Sequence, residues 1–178
     1  VVYRIHRSID ISFAHHVRGH QGACINIHGH TWKFEVGLEA DALDAEGFVV
    51  DFGVLKRRVL EPCHRLLDHS LAVGADTYRD VAEALTPLGE RLLASREAVH
   101  GAPLPHETPG LHLGSAELRY PGGMKVAVFP FSPTSERLAE WLFRLAEREL
   151  ADERVRVGFA RVYETLHPVE SVAEFQRG

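Results

Sequence analysis

The stretch Cys24-Ile25-Asn26-Ile27-His28-Gly29-His30 holds the residue types best suited to chemistry. His28 and His30 are two residues apart. In a strand both rings project to one face, together with Trp32 and Phe34. Imidazole nitrogen suits Zn²⁺, and two same-face histidines make half of a tetrahedral site. His15 shares parity with Ile9, Ile11 and Phe13 on an earlier alternating run. If the two runs pair, His15, His28 and His30 converge. Three protein ligands with one open position is the arrangement of a catalytic zinc site. His16 competes as the third ligand, because register breaks down at strand ends. His6 and His20 read as surface residues.

Three further groups could handle protons. Cys24 lies just before the two histidines, and a cation nearby lowers a thiol's pKa and frees the thiolate as base or nucleophile. A fourth zinc ligand or an inert cysteine are the other readings of the same residue. In Asp68-His69 a carboxylate adjoins an imidazole and could fix its tautomer, or the histidine could simply end a helix at the surface. Glu164, in Tyr163-Glu164-Thr165, either faces solvent or lies in a pocket. There its two oxygens could accept paired donors from a guanidine-like heterocycle.

The elements that must position these groups show in the periodicity. Residues 3–13 alternate, with Tyr3, Ile5, Ile9, Ile11 and Phe13 on one parity, and 31–39 alternate again around Trp32, Phe34, Val36 and Leu38. Both predict strands with one buried face. Asp51 is placed to cap a helix whose apolar stripe is Val54, Leu55, Val59, Cys63, Leu66 and Leu67, with Pro62 bending it. Pro133-Thr134-Ser135-Glu136 marks the start of a second helix reaching Leu150, with a stripe of Leu138, Trp141, Leu142 and Leu145. Residues 154–164 predict a strand, and 169–176 a short final one. Between the helices, roughly 75–127, the spacing predicts a helix from Tyr78 to Ala98. A Gly/Pro-rich stretch follows (Pro103, Pro105, Pro109, Gly110), then a hairpin around Pro121-Gly122-Gly123 with Lys125–Phe131 as its second strand. Without that middle the order is strand, strand, helix, helix, strand, strand. This predicts an α+β domain with a four-stranded antiparallel sheet and two helices on one face. The exposed edges of such a sheet favour oligomerisation.

Composition sets limits. At 178 residues the chain suits one domain, 1–178, with an insertion at about 75–127, and can build a core without disulfide staples. A net charge of −5 gives no support to a nucleic-acid partner. No apolar run approaches the ~20 residues of a membrane span. Two cysteines make no disulfide framework, and the start Val1-Val2-Tyr3-Arg4 lacks a signal-peptide core, so the expected location is the cytoplasm. Twelve histidines, dispersed rather than contiguous as in a tag, direct attention to metal or acid–base chemistry.

Taken together, these blocks resemble the 6-pyruvoyl-tetrahydropterin synthase family, including its queuosine-pathway branch, the 6-carboxy-tetrahydropterin synthases. Phe13-Ala14-His15 resembles the first ligand motif, and Cys24 followed by His28-Gly29-His30 the catalytic cysteine and two further ligands. Asp51-Phe52, Leu67-Asp68-His69, Pro133-Thr134-Ser135-Glu136 and Tyr163-Glu164-Thr165 resemble the remaining motifs, in order. The resemblance implies the tunnelling fold (T-fold), in which subunits pool their strands into a barrel. It implies a homo-oligomer, typically a hexamer built as a dimer of trimers, with active sites between subunits.

The implied cofactor is Zn²⁺ on His15, His28 and His30. The implied reaction converts 7,8-dihydroneopterin triphosphate to 6-carboxy-5,6,7,8-tetrahydropterin, acetaldehyde and triphosphate. Cys24, Asp68 and His69 would be catalytic, with Glu164 holding the pterin. Three residues between Cys24 and His28 resemble the queuosine branch. The alternatives are triphosphate elimination by a 6-pyruvoyl-tetrahydropterin synthase and a non-catalytic zinc-binding oligomeric module. The middle segment, with His100, His106 and His112, departs from the family, whose members connect the helices by a shorter loop. It is either peripheral decoration, or a lid or an altered substrate pocket.

Overall fold

A computed structural model of the chain describes residues 1–101 and 110–178. His106, Pro103, Pro105 and Pro109 lie outside the described residues. In chain order the elements are β1 (Tyr3–His15), β2 (His28–Ala40), α1 (Phe52–Leu55), a π-helical turn (Lys56–Leu60), α2 (Glu61–Leu67), β3 (Leu71–Gly74), α3 (Ala75–His100), β4 (His112–Leu113), β5 (Ala116–Arg119), β6 (Val126–Phe129), α4 (Ser135–Leu150), β7 (Val155–Thr165) and β8 (Ser171–Phe175). The sheet holds eight strands in the order β4-β5-β6-β3-β1-β2-β7-β8. The α+β class stands, but the expected four-stranded antiparallel sheet does not. Leu71–Gly74 and the segment 112–129 supply four extra strands, and β3 runs parallel to both β1 and β6. No described helix is long and apolar enough to cross a membrane.

The chain divides into two compact units, with β1 and β2 contributing to both. The first comprises Val1–Ser12, His30–Asp68 and Thr134–Gly178. Here β2 pairs antiparallel with β7, and β7 with β8. Alternation along β2 buries Trp32, Phe34, Val36 and Leu38 completely. Full burial of such side chains contributes about 1.5–3 kcal/mol each. Helix α4 begins where Thr134 Oγ1 accepts from Arg137 N–H at 3.4 Å, and its stripe of Leu138, Trp141, Leu142 and Leu145 is buried. It packs on β7 and β8, with the Phe143 and Phe175 rings edge to face at 5.1 Å. At Gly37 the β2–β7 register shifts, and a side chain there would strike the Phe159 ring, 2.2 Å from the Cβ position.

Asp51 caps α1 through Oδ1, which accepts from Gly53 and Val54 N–H at 2.7 and 3.3 Å. Pro62 has no N–H to donate to the Arg58 carbonyl, and its ring crowds that oxygen. The helix widens just before it, with Glu61 N–H bonding back to Lys56 O, before resuming as α2. The bend expected at Pro62 is therefore a π turn.

The second unit comprises Phe13–Gly29 and His69–Pro133. It opens at His69, whose φ of 56° is left-handed. The end of β1 then pairs with β3 (Ala14 with Leu71, His15 with Ala72). Strand β3 in turn pairs with β6, β6 antiparallel with β5, and β5 with β4. The expected helix and hairpin are both present, the helix extended to 75–100. Val73, Leu85, Val126 and Val128 form the core, with Leu71, Tyr78, Val81 and Met124 packed on it. Gly89 lets α3 approach the turn at 121–123, where an added Cβ would lie 2.4 Å from Pro121 O.

Candidate metal centre

In the second unit β1 ends at His15, a ring only 1% exposed. Its Nδ1–H donates to the Pro133 carbonyl at 2.9 Å. His28 opens β2, and its Nδ1–H donates to the Asn26 carbonyl at 2.8 Å. Asn26 is itself held by its amide nitrogen, which donates to Ala23 O at 3.0 Å. A carbonyl can only accept, so both rings carry their proton on Nδ1. Each Nε2 then presents a lone pair, and the two Nε2 atoms are 3.0 Å apart. Two facing lone pairs repel unless a proton or a metal ion lies between them. Two nitrogens each ~2.0–2.1 Å from a tetrahedral zinc are roughly 3.3 Å apart, close to the spacing seen. Fixing the tautomer through the far ring nitrogen is how proteins orient histidine ligands. The pair fits a metal ion.

In the first unit His30 Nε2 lies 3.3 Å from Glu164 Oε1. Ser135 Oγ donates to Glu164 Oε2 at 3.4 Å, and His30 stands edge-on to Trp32. One residue past the Lys33–Tyr163 pair, Glu164 lies diagonal to His30 across β2 and β7. Periodicity carries no sign of that approach, because it depends on pairing two strands far apart in the chain.

Cys24 lies half-buried in a one-turn 3₁₀ helix, Ala23–Ile25, and its carbonyl accepts from Val17 N–H at 3.0 Å. The competing ligand His16 is committed elsewhere, its Nδ1–H donating to Ile25 O at 2.7 Å. His20 Nδ1 accepts from Gly22 N–H at 2.9 Å. Asp68 closes α2, and His64, not singled out from the sequence, brings its Nε2 to 3.8 Å from Asp68 Oδ1. The exposed His69 follows at the left-handed position.

A buried carboxylate also escaped sequence reading. Glu35, 7% exposed, accepts from Tyr163 Oη at 3.0 Å and Arg161 Nη1 at 3.3 Å, and lies 2.8 Å from His6 Nδ1. Burial pushes its carboxyl upward. The hydrogen bonds from Tyr163, His6 and Arg161 outweigh that and leave it below the usual carboxylate range. Burial and the Glu35 carboxylate together raise the Tyr163 phenol. His6, at the surface as expected, reaches this network from its exposed position.

The 6-pyruvoyl tetrahydropterin synthase family matches the chain over residues 4–176, and the chain belongs to that family. A 6-carboxy-5,6,7,8-tetrahydropterin synthase of Bacillus subtilis is 39% identical over 70 residues, which are 39% of this chain and 45% of that protein. The match to the Rickettsia felis protein of the same name spans 51% of its length, so the aligned stretch is about half of these relatives. The Haemophilus influenzae protein of that name is 23% identical over 173 residues, 92% of this chain and 94% of its own. Among solved structures, an uncharacterized protein of Wolinella succinogenes superposes with a TM-score of 0.67 at 24% identity, covering 100% of this chain and 99% of that one. A Plasmodium vivax 6-pyruvoyltetrahydropterin synthase gives 0.56 at 12%, covering 99% of both, so the fold is that of the family.

Proposed function

We propose that the protein is a zinc-dependent 6-carboxy-5,6,7,8-tetrahydropterin synthase. It would convert 7,8-dihydroneopterin triphosphate to 6-carboxy-5,6,7,8-tetrahydropterin, releasing acetaldehyde and triphosphate. The observation that carries the reading is the pair of facing Nε2 lone pairs on His15 and His28. His30 is two residues beyond His28 on the same strand, which ties it to that pair through the backbone. The names of the relatives support the branch.

Zinc on His15, His28 and His30 would supply Lewis acidity to the substrate's side-chain hydroxyls. The Cys24 thiolate takes a proton from the side chain, and Asp68 and His69 move protons at the other face. Glu164 accepts paired hydrogen bonds from the pterin's amino and ring N–H groups. The segment 75–127 is an insertion in a single synthase-type domain. The working enzyme is a cytoplasmic homo-oligomer, a dimer of trimers, in keeping with the open edges at β4 and β8.

Incubation with 7,8-dihydroneopterin triphosphate tests the reading. Acetaldehyde release supports it. A pyruvoyl product without acetaldehyde assigns the chain to the triphosphate-eliminating branch, and zinc uptake without turnover reduces it to a binding module.

A further inference from the structure

The loop between β1 and β2 carries Cys24, and its first residues are folded onto the cysteine turn. Val17 N–H bonds to Cys24 O at 3.0 Å and His16 Nδ1–H to Ile25 O at 2.7 Å. What holds those first residues comes from helix α3. Arg18 Nη1 lies 2.5 Å from Asp80 Oδ2, and its Nε 3.4 Å from Asp76 Oδ2. Asp76 and Asp80 are four residues apart at the start of α3, so they present one face to the guanidinium. Arg18 N–H donates to Ser132 Oγ at 3.0 Å. Just upstream, Ala14 N–H bonds to Ser70 O at 3.0 Å and His15 to Pro133 O. An unbroken chain of contacts thus runs from α3 through Arg18 and Val17 to Cys24.

We propose that Arg18 and Asp80 are positioning residues, clamping the Cys24 loop to helix α3 so that the inserted segment sets the geometry of that loop. This rests on the synthase reading above, in which Cys24 is the base. It replaces the picture of the insertion as peripheral decoration with that of a scaffold. Both side chains of the pair are about half exposed, at 46% and 50%. Exposed ion pairs add little stability, so the clamp's effect lies in geometry, and small displacements of a reacting group are costly.

The test compares the full chain with Asp80→Asn, Arg18→Ala and the charge-keeping Asp80→Glu. Iodoacetamide alkylation across about pH 6 to 9 reports the Cys24 thiolate, because Cys63 is fully buried and Cys24→Ala supplies the blank. Acetaldehyde release gives kcat and KM, and elemental analysis gives zinc. The expected result is a shifted alkylation profile and a roughly tenfold lower kcat in Asp80→Asn and Arg18→Ala, with KM within about twofold and zinc and Tm unchanged. Asp80→Glu recovers most of the loss. A wild-type alkylation profile in both variants overturns the clamp, and so does wild-type kcat. If the parent protein releases no acetaldehyde the synthase reading fails, while the alkylation profile still decides whether α3 holds the cysteine loop.

Discussion

The Nε2 atoms of His15 and His28 face one another at 3.0 Å while each ring's Nδ1–H is taken by a backbone carbonyl. On the proposed reading they share a metal ion, so removing either ring removes a ligand. His15→Ala and His28→Ala should each lower zinc affinity by more than the roughly 10–100-fold typical of losing an outer-shell partner. Competition with a chromogenic chelator measures this. Zinc affinity at the parent's level in both variants would remove the basis for a metal centre here.

Glu164 is predicted to act on the pterin. Glu164→Ala should keep its zinc and raise KM by about tenfold, the loss of a charge-assisted pair of hydrogen bonds. A fall in zinc content instead would make Glu164 a fourth ligand alongside His30.

Cys24→Ala should bind zinc and fold as the parent does. Its kcat should drop by about 10²–10⁴, the range for a positioned proton-transfer group. Unaltered turnover would move the base elsewhere.

Glu35 makes stability depend on acid. Its folded pKa lies below the ordinary value, so its contribution is complete above the unfolded carboxylate pKa and disappears as pH falls through the lower folded value. Thermal melts should show the parent losing Tm more steeply than Glu35→Gln on acidification below about pH 4.5. Tyr163→Phe removes one stabilising donor and should shift that loss to higher pH. Parallel curves for the parent and Glu35→Gln would show the carboxylate uncoupled from folding.

The parts of the site legible in the sequence are those governed by local rules. Alternation found β1 and β2, and parity put His15 with Ile11 and Phe13, all of which are buried. Hydroxyl and carboxylate caps found the starts of α4 and α1. Strand β3 was missed because Leu71–Gly74 is four residues long and mostly buried on both faces, which leaves no alternation to detect. The approach of Glu164 to His30 required the β2–β7 register, a non-local fact. Glu35 sits on the polar parity of β2, and only Tyr163, Arg161 and His6 arriving from other strands make that position buried and ionised.

The turn after α2 places an imidazole where glycine would rest without strain. Left-handed backbone costs an L-residue about 1–2 kcal/mol, and His69 bears that cost at an exposed position. If His69 moves protons as proposed, thermal robustness and turnover pull in opposite directions at this one position. A lineage selected only for endurance would drift toward glycine there and keep the fold, giving up the imidazole.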